Sequence, residues 1–395
     1  MKEFYRKHKE DKPVVAICYD FDKTLSPDDM QAQGYIQSVG YEVDTFWKES
    51  NGLAENNDMD QNLAYMYKMM QEAEGNFVFN REKLEEYGSK VSLFPGVEEW
   101  FERIKSFGVE HGVIVEHYII SSGLKEMIDG TSVAKNGAFE KVYASSFYYN
   151  SRNVAVWPAQ VVNYTNKTQF LFRIEKGILD VNDPAVNDYY PPDEIRVPFR
   201  NIIYIGDSAT DIPCMKLVNS YGGHSIGVYN PSTMDKSKVY KMMLDNRIRY
   251  FSSANYMEGS ELDCIIKKII VRTEANESLE NLFISCRKEA DEDDKSKTRE
   301  GKIKMNLILQ LENSYSFANT HAVVRELQLI DNWTNDEMER LFDCAMYNLQ
   351  VHYILSDYDV RQFYKSVLSK IKTKSEKALE IERIIMEKES QDDLL

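Results

Sequence analysis

Over roughly the first 270 residues, short apolar runs alternate with polar clusters and amphipathic stretches. Val14–Tyr19 is an apolar run with two adjacent valines and an isoleucine, the pattern of a strand buried on both faces. Tyr118-Ile119-Ile120 and Ile202-Ile203-Tyr204-Ile205 repeat it, and residues 142–144, 154–156, 225–229 and 249–251 are shorter strand candidates. Between the strands, the spacing of Trp100, Phe101 and Ile104 predicts a helix over 97–106, and Phe170, Leu171 and Ile174 predict one over 167–176. Ser26-Pro27-Asp28-Asp29 reads as a helix start, with a serine cap, proline in the first turn and acids behind it. From there to about Leu93 the pattern is helical. Strands alternating with helices require crossover connections, hence a parallel sheet covered by helices on both faces.

The pattern changes beyond this region. Twelve of the 18 residues from Ser285 to Lys302 are charged, as in a solvated linker or an exposed helix. After it strand signals stop. Thr334 to Glu337 forms a capping box ahead of Met338, Leu341, Ala345 and Leu349, and a second helix, opened by Ser356 to Asp359, spaces Phe363, Val367, Leu368 and Ile371. The expected organisation is an α/β domain over 13–284 with a helical cap at about 26–93. A charged linker over 285–303, a separate small all-α module over 304–372 and a charged tail over 373–395 follow.

Composition narrows the function. The 395 residues carry a net charge of -16, and an acidic surface repels phosphate backbones, which argues against a nucleic-acid binder. A small phosphorylated ligand remains open, because one site can be locally positive. The five cysteines are dispersed, without a CxxC pair, as suits a reducing compartment. Met1–Pro13 lacks the apolar stretch of a signal peptide, and no run approaches a membrane span. A cytoplasmic protein without membrane contact is expected.

Four polar clusters fall at strand ends or helix starts, where ligands sit in parallel α/β sheets. Asp20 and Asp22 follow the first strand; at strand period both point to one side, and two such close carboxylates call for a cation or a shared proton. Magnesium suits them as a hard ion bound by a few oxygens. Ser121, with Ser122, ends the second long strand, where a hydroxyl and free amides hold a phosphoryl oxygen. Lys167 opens a helix, where its charge opposes the helix dipole unless an anion lies between them; Lys176 competes for the same role. Gly206-Asp207 ends the third, with Asp211 one helical turn on. Each cluster taken singly is ordinary, since DxD is frequent in loops, a serine caps many helices and most lysines are exposed. The ordered set of four is not readily accidental.

In this order the clusters resemble the haloacid dehalogenase-like superfamily, in particular its phosphoserine-phosphatase-like branch with a helical cap inserted after the first strand. Asp20, Asp22 and Thr24 match its first motif, Ser121 the second, Lys167 the third, and Asp207 with Asp211 the fourth. The resemblance covers about residues 13–270 and implies a Mg2+-dependent phosphomonoester hydrolase acting on a small phosphorylated substrate. In it Asp20 is the nucleophile and Asp22 the general acid and base. Asp20, Asp207 and the Asp22 backbone carbonyl hold the metal, and Ser121 and Lys167 bind the phosphoryl group. Thr24 fixes the loop, and Asp211 orients Lys167 or metal-bound water. Asp22-Lys23-Thr24 taken alone resembles the phosphorylated motif of cation pumps, which need membrane spans. Dehalogenases of the superfamily lack the acid at Asp22. A non-catalytic phospho-ligand sensor, with the helical module binding a protein partner, is the alternative. Substrate choice belongs to the cap, for which Tyr35, Tyr41, Trp47 and Asn57 are the candidates. The six histidines form no ligand-like spacing and read as exposed or packed; His117, just ahead of the strand that leads to Ser121, has an approach to the pocket as its alternative.

Overall fold

The structure, a computed structural model, describes residues 4–293, 299–371 and 373–392. They form two compact units, one of Met1–Asp183 with Glu194–Leu282 and one of Pro184–Asp193 with Phe283–Leu395. No helix among the described residues is long and apolar enough to cross a membrane.

The first unit is built on a Rossmann-like sheet of seven strands: β1 (Val14–Tyr19), β2 (Ile114–Leu124), β3 (Lys141–Tyr149), β4 (Ala155–Gln160), β5 (Ile202–Gly206), β6 (His224–Tyr229) and β7 (Tyr250–Ser253). Their spatial order is β4-β3-β2-β1-β5-β6-β7. All neighbours are parallel except β3 and β4, which form an antiparallel hairpin at one edge. The alternation along β1 explains its unbroken apolarity. Val15, Ile17 and Tyr19 enter the core on one face, and Val14, Ala16 and Cys18 enter the core on the other. Helices Thr168–Lys176, Ile212–Ser220 and Ser237–Leu244 supply the second core. Helix Val97–Glu110 and Leu262, Ile266, Ile269 and Ile270 of the helix after β7 join the first.

Two local expectations change. Ser26 opens no helix: its hydroxyl donates to the Asp28 carbonyl at 2.9 Å, and residues 22–26 close a tight turn on the Phe21 carbonyl. The chain needs that turn before it can leave the sheet, so the cap pattern at Ser26 serves the loop instead. The helical pattern resolves into Tyr35–Ser38, Val43–Asn56, Gln61–Ala73 and Arg81–Gly88. β2 also runs on through Ser121-Ser122-Gly123, with a register shift against β3 between Ile120 and Leu124, and its helix begins at Lys125.

A buried ion cluster fastens the sheet below its ligand end. Arg196, whose side chain is fully buried, holds both oxygens of Glu116 at 2.7 Å; Lys7 and Tyr118 add bonds of 2.5 and 2.6 Å. Burial works against the Glu116 charge, but Arg196 and Lys7 outweigh it and hold the carboxyl down at about 2. A depressed carboxyl stabilises the fold above the ordinary glutamate range, and that contribution is lost as pH falls towards 2. Glu116→Ala is expected to cost about 2 kcal/mol at neutral pH, because the buried Arg196 loses its bidentate partner and keeps only Glu10. Denaturant melts of both proteins from pH 7 to pH 3 check this; the gap should narrow as the pH drops.

The second unit is helical. Leu307, Leu311, Val324, Leu341, Phe342, Phe363 and Tyr364 share one core. Thr334 caps helix Asn335–Tyr347 reciprocally with Glu337, as the sequence pattern predicts. Helix Glu376–Asp392 turns Ala378, Ile381 and Ile385 into the same core, an apolar stripe inside a charged composition. The described residues of the stretch 285–302 are helical as well.

Candidate active site

The ends of β1, β2 and β5 surround a cavity of about 470 Å³. Asp20, Asp22, Ser121, Ser122 and Asp207 line it, together with Gly123 and Ser208. β1 and β5 are paired, and the Asp20 amide extends that pairing by donating to the Ile205 carbonyl at 2.9 Å. Strand pairing thus puts the first cluster beside the fourth, and Asp20 and Asp207, far apart in the chain, share one cavity.

The third cluster arrives from the helix after β4. Lys167 is the residue before helix Thr168–Lys176 and is completely buried. Its ammonium lies 3.1 Å from Asp20 Oδ1 and 2.8 Å from Asp211 Oδ1. The anion that reconciles a lysine with a helix N-terminus is thus supplied by the protein itself. Lys176 lies at the other end of that helix, where its carbonyl accepts a bond from Arg6. Asp211 is fully buried rather than exposed; the Tyr204 hydroxyl donates to it at 2.9 Å and the Ser208 amide at 3.3 Å. Gly206 permits this approach, since a Cβ there would sit 2.5 Å from Asp211 Oδ2.

Asp22 stands apart from this group. Its Oδ1 accepts the Met30 amide at 2.8 Å, and its Oδ2 faces Gly123, where a Cβ would come within 2.9 Å. The turn that follows puts Lys23 at a φ of 59°, with its ammonium 2.8 and 2.9 Å from the two oxygens of Asp29. Thr24 holds this turn through its backbone, its carbonyl accepting from Tyr256 at 2.8 Å; its buried hydroxyl makes no hydrogen bond among the described residues. Ser121 Oγ accepts the Gly123 amide at 3.1 Å, and the Ser122 carbonyl accepts from Tyr65 at 2.7 Å and Ser145 at 3.1 Å.

Burial sets the electrostatics. It pushes Asp20 up to about 6, with the Asp211 carboxylate adding to it and Lys167 opposing it. Asp207 rises to about 8 through burial and the carboxylates of Asp211 and Asp20. Asp22 is raised well above the carboxylate range by burial and then by Asp29 and Asp20. For Lys167, burial disfavours the charge, but Asp20 and Asp211 outweigh it and raise the ammonium. Asp20, Asp207 and Asp211 bring oxygens within 4.8 Å of one another. When all three are ionised, these carboxylates against one ammonium leave two negative charges, the charge that one divalent cation balances; without it, burial and that repulsion raise Asp20 and Asp207. Oxygen donors and that imbalance fit Mg2+.

The cap meets the site through residues the sequence did not single out. Met59, Asp60, Gln61 and Asn62 line the cavity, with Asn163 and Tyr164 of the loop before Lys167. Tyr35, Tyr41, Trp47 and Asn57 do not line it. Tyr35 is buried and donates to the Met69 carbonyl, Tyr41 bonds Glu72, Trp47 packs edge-on against Tyr65, and Asn57 bonds the Leu53 carbonyl. Aromatic size marks the core of the cap, whereas the wall is made of short polar groups at the start of helix Gln61–Ala73. His117 is also elsewhere: it is buried in the sheet, bonded to Tyr19 at 3.0 Å and the Phe101 carbonyl at 3.2 Å, and burial lowers it to about 3.

The chain is 28% identical to an uncharacterized protein of Borreliella burgdorferi over 287 residues, covering 66% of this chain and 98% of that one. Its fold is similar to that of a HAD family hydrolase from Salmonella enterica serovar Typhi, with a TM-score of 0.41 and 16% identity over 66% of this chain and 73% of that one. A substrate-bound phosphoserine phosphatase gives a TM-score of 0.41 and 16% identity over 66% of this chain and 99% of that one. Residues 17–216, just over half of the chain, match the family described as haloacid dehalogenase-like hydrolase. The chain belongs to that family of hydrolases.

Proposed function

We propose that this protein is a Mg2+-dependent phosphomonoester hydrolase that works through an aspartyl-phosphate on Asp20. One observation carries the proposal: the carboxylates of the site divide into two sets. Asp20, Asp207 and Asp211 gather in one cluster that Lys167 enters, whereas Asp22 stands outside that group, its carboxylate held by the Met30 amide and facing Gly123. A nucleophile next to charge-balancing groups and a separate protonated acid are what phosphate ester hydrolysis requires.

Asp20, Asp207 and the Asp22 backbone carbonyl would hold Mg2+, which neutralises the phosphoryl oxygens when bound. Asp20 attacks phosphorus, forming an O–P bond as the bond to the leaving alcohol breaks. Asp22 gives its proton to that alcohol, then takes one from the water that attacks the same phosphorus; the Asp20 oxygen–phosphorus bond breaks, phosphate leaves and the Asp20 carboxylate is restored. Ser121, the Ser122 region and Lys167 hold the transferring group, where positioning and charge do most of the work. Asp211 keeps Lys167 in place. A phospho-ligand sensor would need the cavity but not an acid at Asp22, and turnover separates the two readings.

The five free cysteines suit a cytoplasmic setting. Every residue that lines the cavity belongs to the first unit, and we assign the helical second unit a protein partner rather than chemistry.

The test uses a panel of phosphate monoesters. Turnover should require Mg2+, vanish in excess chelator and return when the ion is restored. Mg2+ alone should also raise the melting temperature, since a ligand at about 100 times its Kd adds about 2.7 kcal/mol. Full turnover in chelator, with no shift in melting, would remove the metal from the proposal.

A further inference from the structure

The cavity also carries information about the alcohol that leaves, on the reading that phosphate esters are its substrates. Beyond the phosphoryl end, the wall consists of Met59, Asp60, Gln61, Asn62, Asn163 and Tyr164. It holds amides, one aromatic ring and one carboxylate, and no cation. The cations that line the cavity are Lys23 and Lys238. Lys23 is bound by both oxygens of Asp29, and Lys238 is 69% exposed and 4.0 Å from Asp207. Neither pairs with Asp60.

Among the described residues Asp60 accepts only from neutral donors. Oδ1 takes the amides of Asn62 and Leu63 at 2.9 and 3.1 Å, and Oδ2 takes the Asn163 side chain at 3.0 Å. It makes no ion pair among the described residues. At this wall a carboxylate on the leaving group would meet the Asp60 charge and none of the wall's own groups to balance it, since Lys23 and Lys238 line the cavity elsewhere. An ammonium would gain a partner, with the amides of Asn62 and Asn163 beside it.

We propose that the substrate is the phosphate ester of an amino alcohol rather than of a hydroxy acid, and that Asp60 sets this preference. A single charge pair in a partly solvated cavity changes binding by about tenfold. The matched esters are ethanolamine phosphate, 2-hydroxyethyl phosphate and phosphoglycolate, which differ chiefly in the charge of one end. kcat/KM should fall in that order, with at least about tenfold between the first and the last. In Asp60→Asn the ratio should move towards one. Asparagine caps a helix as well as aspartate does, so helix Gln61–Ala73 keeps its start. The ratio is taken within each protein, so a general loss of activity cancels. Phosphoglycolate used as well as ethanolamine phosphate overturns the proposal, and an unchanged ratio in Asp60→Asn overturns the role of Asp60. Failure of p-nitrophenyl phosphate and all three esters in Mg2+ would instead overturn the phosphatase reading itself.

Discussion

Asp20→Asn is expected to lower turnover of every phosphate ester by a factor on the order of 10⁴ or more, as loss of a covalent nucleophile does. The amide keeps the size of the carboxylate and can still face Lys167, so folding should survive. The melt is the control: a folded, inactive Asp20→Asn isolates the chemistry. Asp22→Asn makes the companion experiment. It should also be slow, because no acid is left to protonate the alcohol, yet a reactive acyl or aryl phosphate donor with a good leaving group should still label Asp20. Mapping the phosphorylated peptide decides the assignment. Label on Asp22, or normal turnover in Asp20→Asn, would place the nucleophile elsewhere.

Lys167→Met is expected to lower kcat/KM by roughly 10² to 10³ and also to destabilise the protein by about 3–5 kcal/mol. Methionine fills much of the buried stem but leaves Asp20 and Asp211 without the ammonium they share. Both effects come from one atom, since Lys167 is completely buried and the carboxylates it serves have little water to replace it. Measuring melting and turnover together checks the assignment. A loss of stability alone would make Lys167 a structural cation. A comparable loss of activity in Lys176→Met would return the choice between the two lysines to the open.

The apolar runs and the order of polar clusters were sufficient to read the parallel sheet and the family. Val14–Tyr19 needs both faces covered because every side chain in it is apolar, and that property belongs to the residues themselves. That Asp20, Asp22, Ser121 and Asp207 come together was legible for the same reason, as each lies at the end of a local pattern. Sequence could not tell whether Ser26 caps a helix, since that depends on where one hydroxyl proton goes, nor that β2 continues through Gly123. It also could not identify the cap wall. Asp60, Asn62 and Asn163 are ordinary polar residues, the last of them far along the chain, and only the folded cap brings them to one surface. The separation of Asp22 from the other carboxylates was likewise decided in three dimensions. β1 ends at Tyr19, so strand period no longer governs the two aspartates; Asp22 opens the tight turn through Lys23, and the bare backbone at Gly123 leaves room for its carboxylate. Short-range pattern specifies elements, because burial of a strand or helix face is a local demand. The geometry of a site is set by contacts between elements, which no local pattern contains.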